Sequence, residues 1–180
     1  MRSSVEAGAD LVCWSADKLL GGPQAGIVAG RESAVARCRA HPLARAVRLD
    51  KLQIAALEAT LRLYRDAGAE AIPALAMLRA GEEELTGRAE RMRARIGDAA
   101  SVGRSAARAG GGSLPLTELA GPVCLVEPRP EGADALIEAL RRHDPPVIGR
   151  VEDGRVLLDP RTMSDSEADE AAAAVRSALA

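Results

Sequence analysis

Apolar positions come early in this chain and in two short blocks. Leu11-Val12-Cys13-Trp14 is continuous, the pattern of a strand buried on both faces of a sheet. A turn over residues 15–20 leads into Gly21-Gly22-Pro23, and Ala25-Gly26-Ile27-Val28-Ala29 predicts a second strand. A central strand so close to the start calls for parallel neighbours joined by crossovers. The expectation is therefore the end of a larger α/β domain, truncated upstream.

The pattern then changes to helical periods. Residues 31–39 predict a helix stopped by His41-Pro42, because the residue before proline avoids helical backbone. Residues 50–65 form a stronger one, with Leu52, Ala56, Ala59 and Leu63 on one stripe and Ile54, Leu57, Leu61 and Tyr64 on another. Two stripes suit a helix in contact on two sides, as between domains, and Gly68 is its stop signal. Residues 82–96 predict a helix with Leu85, Ala89, Met92 and Ile96 on one face, glutamates at its start and arginines towards its end.

Strands are expected at 122–127, 147–151 and 156–158, the last two joined by Asp153-Gly154, a signal for a type I′ hairpin turn. Helices are expected at 133–142 and 164–179, the latter opened by a Ser164-x-x-Glu167 capping box. Gly110-Gly111-Gly112 reads as a loop, and no internal repeat is present. The fold class is α/β. The expected domains are a large-domain remnant over 1–48, an interdomain helix over 49–66 and a small α+β domain over 67–180.

Composition narrows the function. A net charge of −2 gives no support for a protein that coats nucleic acid or a membrane surface. With Trp14 and Tyr64 as the only aromatics, no platform for stacking single-stranded bases exists within the chain. Cys13, Cys38 and Cys124 are odd in number and far apart, and neither His41 nor His143 adjoins them, so a disulfide framework or zinc site is not expected. No apolar stretch reaches membrane-spanning length, and no cationic region precedes an apolar run at the N-terminus. A cytoplasmic protein is expected, without a membrane partner.

Of 24 basic residues, only Lys18 and Lys51 are lysines. Schiff-base chemistry is one place where arginine cannot serve, because the amine must lose its proton. Asp17-Lys18 follows the end of the first apolar strand, the edge at which α/β sheets bind ligands. Gly21-Gly22 permits close backbone approach, and glycine-rich turns present N–H groups to anions. On spacing alone, a surface lysine in a polar turn remains the plainer reading. The segment is not a P-loop, since no Gly-Lys-Ser/Thr opens a helix here.

The stretch Ser15-Ala16-Asp17-Lys18-Leu19-Leu20-Gly21-Gly22-Pro23-Gln24-Ala25-Gly26 resembles the cofactor-lysine segment of the selenocysteine synthase (L-seryl-tRNA(Sec) selenium transferase) family, which reads Ser-Gly-Asp-Lys-Leu-Leu-Gly-Gly-Pro-Gln-Ala-Gly. Ala16 is the one departure. The resemblance continues through His41-Pro42-Leu43, Arg45, Arg48, Asp50-Lys51 and Ala55-Ala56-Leu57-Glu58-Ala59-Thr60-Leu61. It extends to Gly110-Gly111-Gly112-Ser113-Leu114-Pro115 and Pro146-Val147-Ile148-Gly149-Arg150.

The resemblance implies the C-terminal part of a fold type I pyridoxal 5'-phosphate enzyme. Lys18 would carry the cofactor, with Asp17 beside it, and both would be catalytic. Arg45 and Arg48 match basic residues near the cofactor that would hold the selenium-donor anion, whose oxygens suit the guanidinium fork. Without the resemblance these two arginines read as solvated charges. Arg150 suits either a substrate carboxylate or structural pairing, and Ser113 either the active site or a tight turn. Lys51 fits a salt bridge or packed stem, and the cysteines and histidines fit structural roles.

The implied reaction converts seryl-tRNA(Sec) to selenocysteinyl-tRNA(Sec) with selenophosphate. The tRNA would be held by a region upstream of these residues, in a homo-oligomer built of dimers. The fragment alone is expected to be inactive. Two alternatives stand beside it: another fold type I enzyme acting on a small amino acid without tRNA, and a catalytically silent small-domain remnant.

Overall fold

The computed structural model describes residues 2–110, 113–114 and 116–180. The chain divides into two compact units, Met1–Ala76 and Met77–Ala180.

In the first unit, a short helix α1 (Arg2–Glu6) leads to strands β1 (Leu11–Ser15) and β2 (Gly26–Gly30). The two pair antiparallel, with Leu11 opposite Gly30 and Ser15 opposite Gly26. The expectation of a strand buried on both faces is not met. Exposed and half-buried residues alternate along β1, because β2 is its one partner among the described residues and no layer covers the outer face. The polypeptide then forms α2 (Glu32–Ala40), which ends at His41 in extended conformation before Pro42, and the single turn α3 (Leu43–Ala46).

Helix α4 (Lys51–Ala67) is capped by Asp50 in a reciprocal box with Gln53 and ends at Gly68, whose φ is 85°. Neither predicted apolar stripe is buried, and Leu52 is 82% exposed. The half-buried positions are Gln53, Leu57 and Thr60, spaced i, i+4, i+7. Ala16, Ala25, Ala69 and Ile72 form the small buried set of this unit. Helix α5 (Pro73–Arg79) runs across the division of the chain.

The second unit is a four-stranded antiparallel sheet with helices on one face. Its elements are α6 (Glu82–Ile96), β3 (Ala100–Arg108), β4 (Glu118–Val126), α7 (Ala133–Arg142), β5 (Arg150–Glu152), β6 (Arg155–Leu158) and α8 (Asp165–Ala178). The strand order is β3-β4-β6-β5. Strand alternation sends Cys124, Val126, Val156 and Leu158 to the helical face, where they meet Met92, Ile96, Leu136, Leu140, Ala168, Ala172 and Val175. Val123, Leu125 and Leu157 point the other way and form a second, smaller cluster.

Local signals explain most of these boundaries. The β5–β6 hairpin turns through Asp153 (φ 50°) and Gly154 (φ 74°), as a type I′ turn requires. Ser164 caps α8: its Oγ accepts from the Glu167 N–H at 3.2 Å, and Glu167 Oε2 accepts from the Ser164 N–H at 2.7 Å. Charged side chains link α6 to α8, with Arg88 and Arg91 on Asp165 at 2.8 and 3.3 Å. Arg95 Nη2 donates to Asp169 Oδ2 at 2.8 Å.

One strand expectation needs correction, and one strand was not expected. The strand expected over 147–151 starts only at Arg150, because the Val147 N–H donates to the Leu140 C=O at 2.9 Å and its side chain is drawn into the core. Strand β3 carries no strong strand signal in its Ala, Ser, Gly and Arg residues. Its Gly103 leaves room for Leu125, whose Cδ1 would lie 2.4 Å from a Cβ at that position and would have to shift.

Candidate functional site

The segment after β1 closes on itself. The Ala16 N–H donates to the Ala25 C=O at 2.8 Å, the Gly22 N–H to the Ala16 C=O at 2.8 Å, and the Gly21 N–H to the Lys18 C=O at 3.0 Å. Ala16 is fully buried and Leu19 and Leu20 are half-buried, whereas Asp17 and Lys18 are exposed at the turn. These bonds correct one expectation: the Gly21 and Gly22 N–H groups are used within the loop and do not form an anion cradle. What the glycines provide is close approach. Gly21 has φ 70°, and a Cβ on it would meet Ile72 Cγ2 at 2.9 Å. A Cβ on Gly22 would lie 3.3 Å from the Ala16 carbonyl oxygen and 3.5 Å from Leu57 Cδ1.

The loop is also tied to α4. Gln53 Nε2 donates to the Gln24 C=O at 3.3 Å, one turn before Leu57 covers Gly22. Arg48 lies two residues before the Asp50 cap of that helix, and Arg45 lies within the single turn α3. The first turn of α4 thus joins the Lys18 loop to the segment carrying both arginines. No hydrogen bond or ion pair links Lys18 or Asp17 directly to Arg45 or Arg48 among the described residues.

The arginines differ in their commitments. Arg31, Arg62 and Arg65 of this unit pair with Asp10, Glu58 and Asp66. No carboxylate occurs in sequence between Glu32 and Asp50, a stretch holding Arg37, Arg39, Arg45 and Arg48. Arg45 and Arg48 are exposed and have no ion-pair partner among the described residues, nor does Lys18. A lysine amine without an ion-pair partner among the described residues, on a turn fixed by three internal hydrogen bonds, fits the chemistry of covalent cofactor attachment. Uncommitted guanidinium groups fit an oxyanion.

Other predicted residues have structural partners. Arg150 reaches the Ala106 carbonyl at 3.4 Å, Ser105 Oγ at 3.3 Å and Asp159 at 3.7 Å, which favours pairing within the sheet. His41 Nδ1 accepts from the Leu43 N–H at 3.2 Å, and His143 Nδ1 lies 3.1 Å from the Pro145 carbonyl. Lys51 is exposed and makes no salt bridge among the described residues, contrary to expectation. The Ser113 N–H donates to the Gly110 C=O at 3.3 Å, while Gly111, Gly112 and Pro115 of the same loop lie outside the described residues. Burial pushes the Cys124 thiol up to about 11. Among the described residues no acidic, His and Cys cluster suits a metal, and no helix is long and apolar enough to cross a membrane.

Sequence reasoning missed Gln53. The signal available was its position three residues after Asp50, where a capping box places a Glu or Gln.

The family described as SelA: L-seryl-tRNA selenium transferase matches residues 1–164. An L-seryl-tRNA(Sec) selenium transferase of Moorella thermoacetica is 48% identical over 99% of this chain and 40% of its own length. One from Nitratidesulfovibrio vulgaris is 45% identical, again over 99% of this chain and 40% of its own. The chain thus spans about 40% of the length of these curated relatives. A solved structure, that of D-glucosaminate-6-phosphate ammonia-lyase, matches with a TM-score of 0.61 at 22% identity, covering 97% of this chain and 45% of that one. At that identity the likeness shows the fold alone, and it bears out the α/β class with an α+β C-terminal part.

Proposed function

The chain belongs to the L-seryl-tRNA selenium transferase family, and from that premise we propose that it forms the C-terminal part of an enzyme converting seryl-tRNA(Sec) to selenocysteinyl-tRNA(Sec). The cofactor is pyridoxal 5'-phosphate and the donor selenophosphate. One observation carries the assignment: the family match runs through the segment holding Lys18, which in the fold stands exposed on a turn held by internal hydrogen bonds.

When bound, pyridoxal phosphate supplies an electron sink for negative charge developing at the substrate α-carbon. Lys18 Nζ holds the cofactor between turnovers. The same amine, once free, accepts the α-proton as a general base and later returns it. Arg45 and Arg48 hold the donor's phosphate oxygens by charge-assisted hydrogen bonds; the nearest carboxylate in sequence, Asp50, is engaged as the cap of α4. Asp17 is the acidic neighbour of the reacting amine. In the overall exchange the β-carbon–oxygen bond breaks and the seryl hydroxyl leaves as water, selenium bonds to the β-carbon in its place, and a water cleaves the donor's selenium–phosphorus bond to release phosphate, with no net change in electrons or water.

Residues upstream of this segment hold the tRNA and the rest of the cofactor, and the assembly is built of dimers. Exposed apolar residues on α4, including Leu52 and Ile54, suit the part of an interdomain helix. The boundaries that follow are a large-domain end over 1–48, this helix over 49–66, and a small domain over 67–180.

The test is a chimera in which this chain replaces the matching part of the Moorella relative. Arg45→Ala and Arg48→Ala should each leave cofactor attachment intact and weaken use of selenophosphate roughly tenfold or more, as for a lost charge-assisted contact. Unchanged donor dependence in both variants would return these arginines to solvated surface.

A further inference from the structure

Gln53 is committed at both ends of its amide. Its Oε1 accepts from the Asp50 N–H at 3.4 Å, and its Nε2 donates to the Gln24 C=O at 3.3 Å. The first bond closes the capping box, a task that a glutamate at this position performs equally well. The second requires an N–H donor, which glutamate lacks. The amide therefore adds to the cap a connection across 29 residues of sequence.

What it connects decides its role. Gln24 lies in the loop that Lys18 opens, and Asp50 follows Arg48 by two residues. Leu57, one turn further along α4, packs over Gly22 on the same side. The loop and the arginine segment are thus held together through one polar side chain and one apolar contact. We infer that Gln53 is a positioning residue that fixes the Lys18 loop relative to Arg45 and Arg48, and so sets how well the donor anion is held. Its role toward the donor rests on the proposed function; the connection itself does not.

Gln53→Glu separates the two tasks, because it keeps the cap acceptor and removes the donor facing Gln24. In the 180-residue chain, hydrogen exchange at the Gly21 and Gly22 amides should quicken roughly threefold to tenfold, the loss of one modest hydrogen bond. The Ile54 amide, bonded to the Asp50 C=O at 3.1 Å, should keep its protection. In the chimera, Gln53→Glu should raise the selenophosphate KM several-fold, a larger change than in kcat, with the cofactor still attached at Lys18. Gln53→Ala should show the same loop effect and additionally fray Ile54.

Unchanged exchange at Gly21 and Gly22 in Gln53→Glu overturns the connection. A quickened loop with an unchanged donor KM overturns the positioning role. A parent chimera without turnover refutes the functional reading and with it the role toward the donor, while the exchange result still decides the connection.

Discussion

Replacing Gly21 by alanine tests the packing of the Lys18 loop at its tightest point. The substitution acts in two ways. At φ 70° a Cβ meets its own backbone, at a cost of about 1–2 kcal/mol. The same Cβ would lie 2.9 Å from Ile72 Cγ2, and Ile72 is 2% exposed, so overpacking adds about 1–3 kcal/mol. Together the loss is about 2–5 kcal/mol, a large share of the stability of a small unit. Ile72→Ala on its own removes buried volume, at about 2–5 kcal/mol, but it also removes the atom that the added Cβ would strike. In that background Gly21→Ala should cost only the backbone part, about 1–2 kcal/mol. Urea unfolding followed by fluorescence measures the cycle, because Trp14 is the only tryptophan and sits on β1 of the same unit. A coupling near zero, or a neutral Gly21→Ala in the parent chain, would refute the close approach of Gly21 to Ile72.

Three further outcomes are expected. Ser164→Ala breaks the α8 capping box and should lower the stability of the second unit by about 1 kcal/mol, whereas Ser164→Asp should be tolerated; thermal unfolding of both variants decides. Arg88 holds the Asp165 carboxyl below its ordinary value of 3.8, and Arg104 holds Glu82 below 4.5. Depressed carboxyls stabilise above their unfolded values and lose that contribution as pH falls through the folded ones, so the urea midpoint should drop from about pH 5 towards about pH 3, less steeply in Arg88→Gln. A thiol reagent at about pH 8 should label Cys13 and Cys38 in the native chain and reach Cys124 only on unfolding, since Cys124 alone is buried.

Features set by neighbouring residues were legible in the sequence. Asp153-Gly154 specifies its turn, Ser164 with Glu167 specifies a helix start, and Gly68 a helix end, because each depends on backbone within a few residues. Features set by distant partners were not. Strand β3 exists through its pairing with β4 and through Leu125 over Gly103, neither of which its small residues announce. The burial of β1 depends on covering layers, so its apolar run overstated it. Gly21 and Gly22 signalled close approach, but Ile72 and Leu57, the groups approached, come from other parts of the chain. Polar Gln53 occupies the contact stripe of α4 while Leu52 points to solvent, which reverses the simple apolar rule. At the site, residue type and spacing left Lys18 an ordinary surface lysine; the long family segment around it was what singled it out.

The most direct measurement of the central claim locates the cofactor. In the chimera loaded with pyridoxal 5'-phosphate, borohydride reduction followed by peptide mass mapping should place the added mass on the peptide containing Lys18. Lys18→Arg should keep the fold and abolish the adduct, because a guanidinium stays protonated and forms no such bond. An adduct on Lys51, or full turnover in Lys18→Arg, would contradict the account.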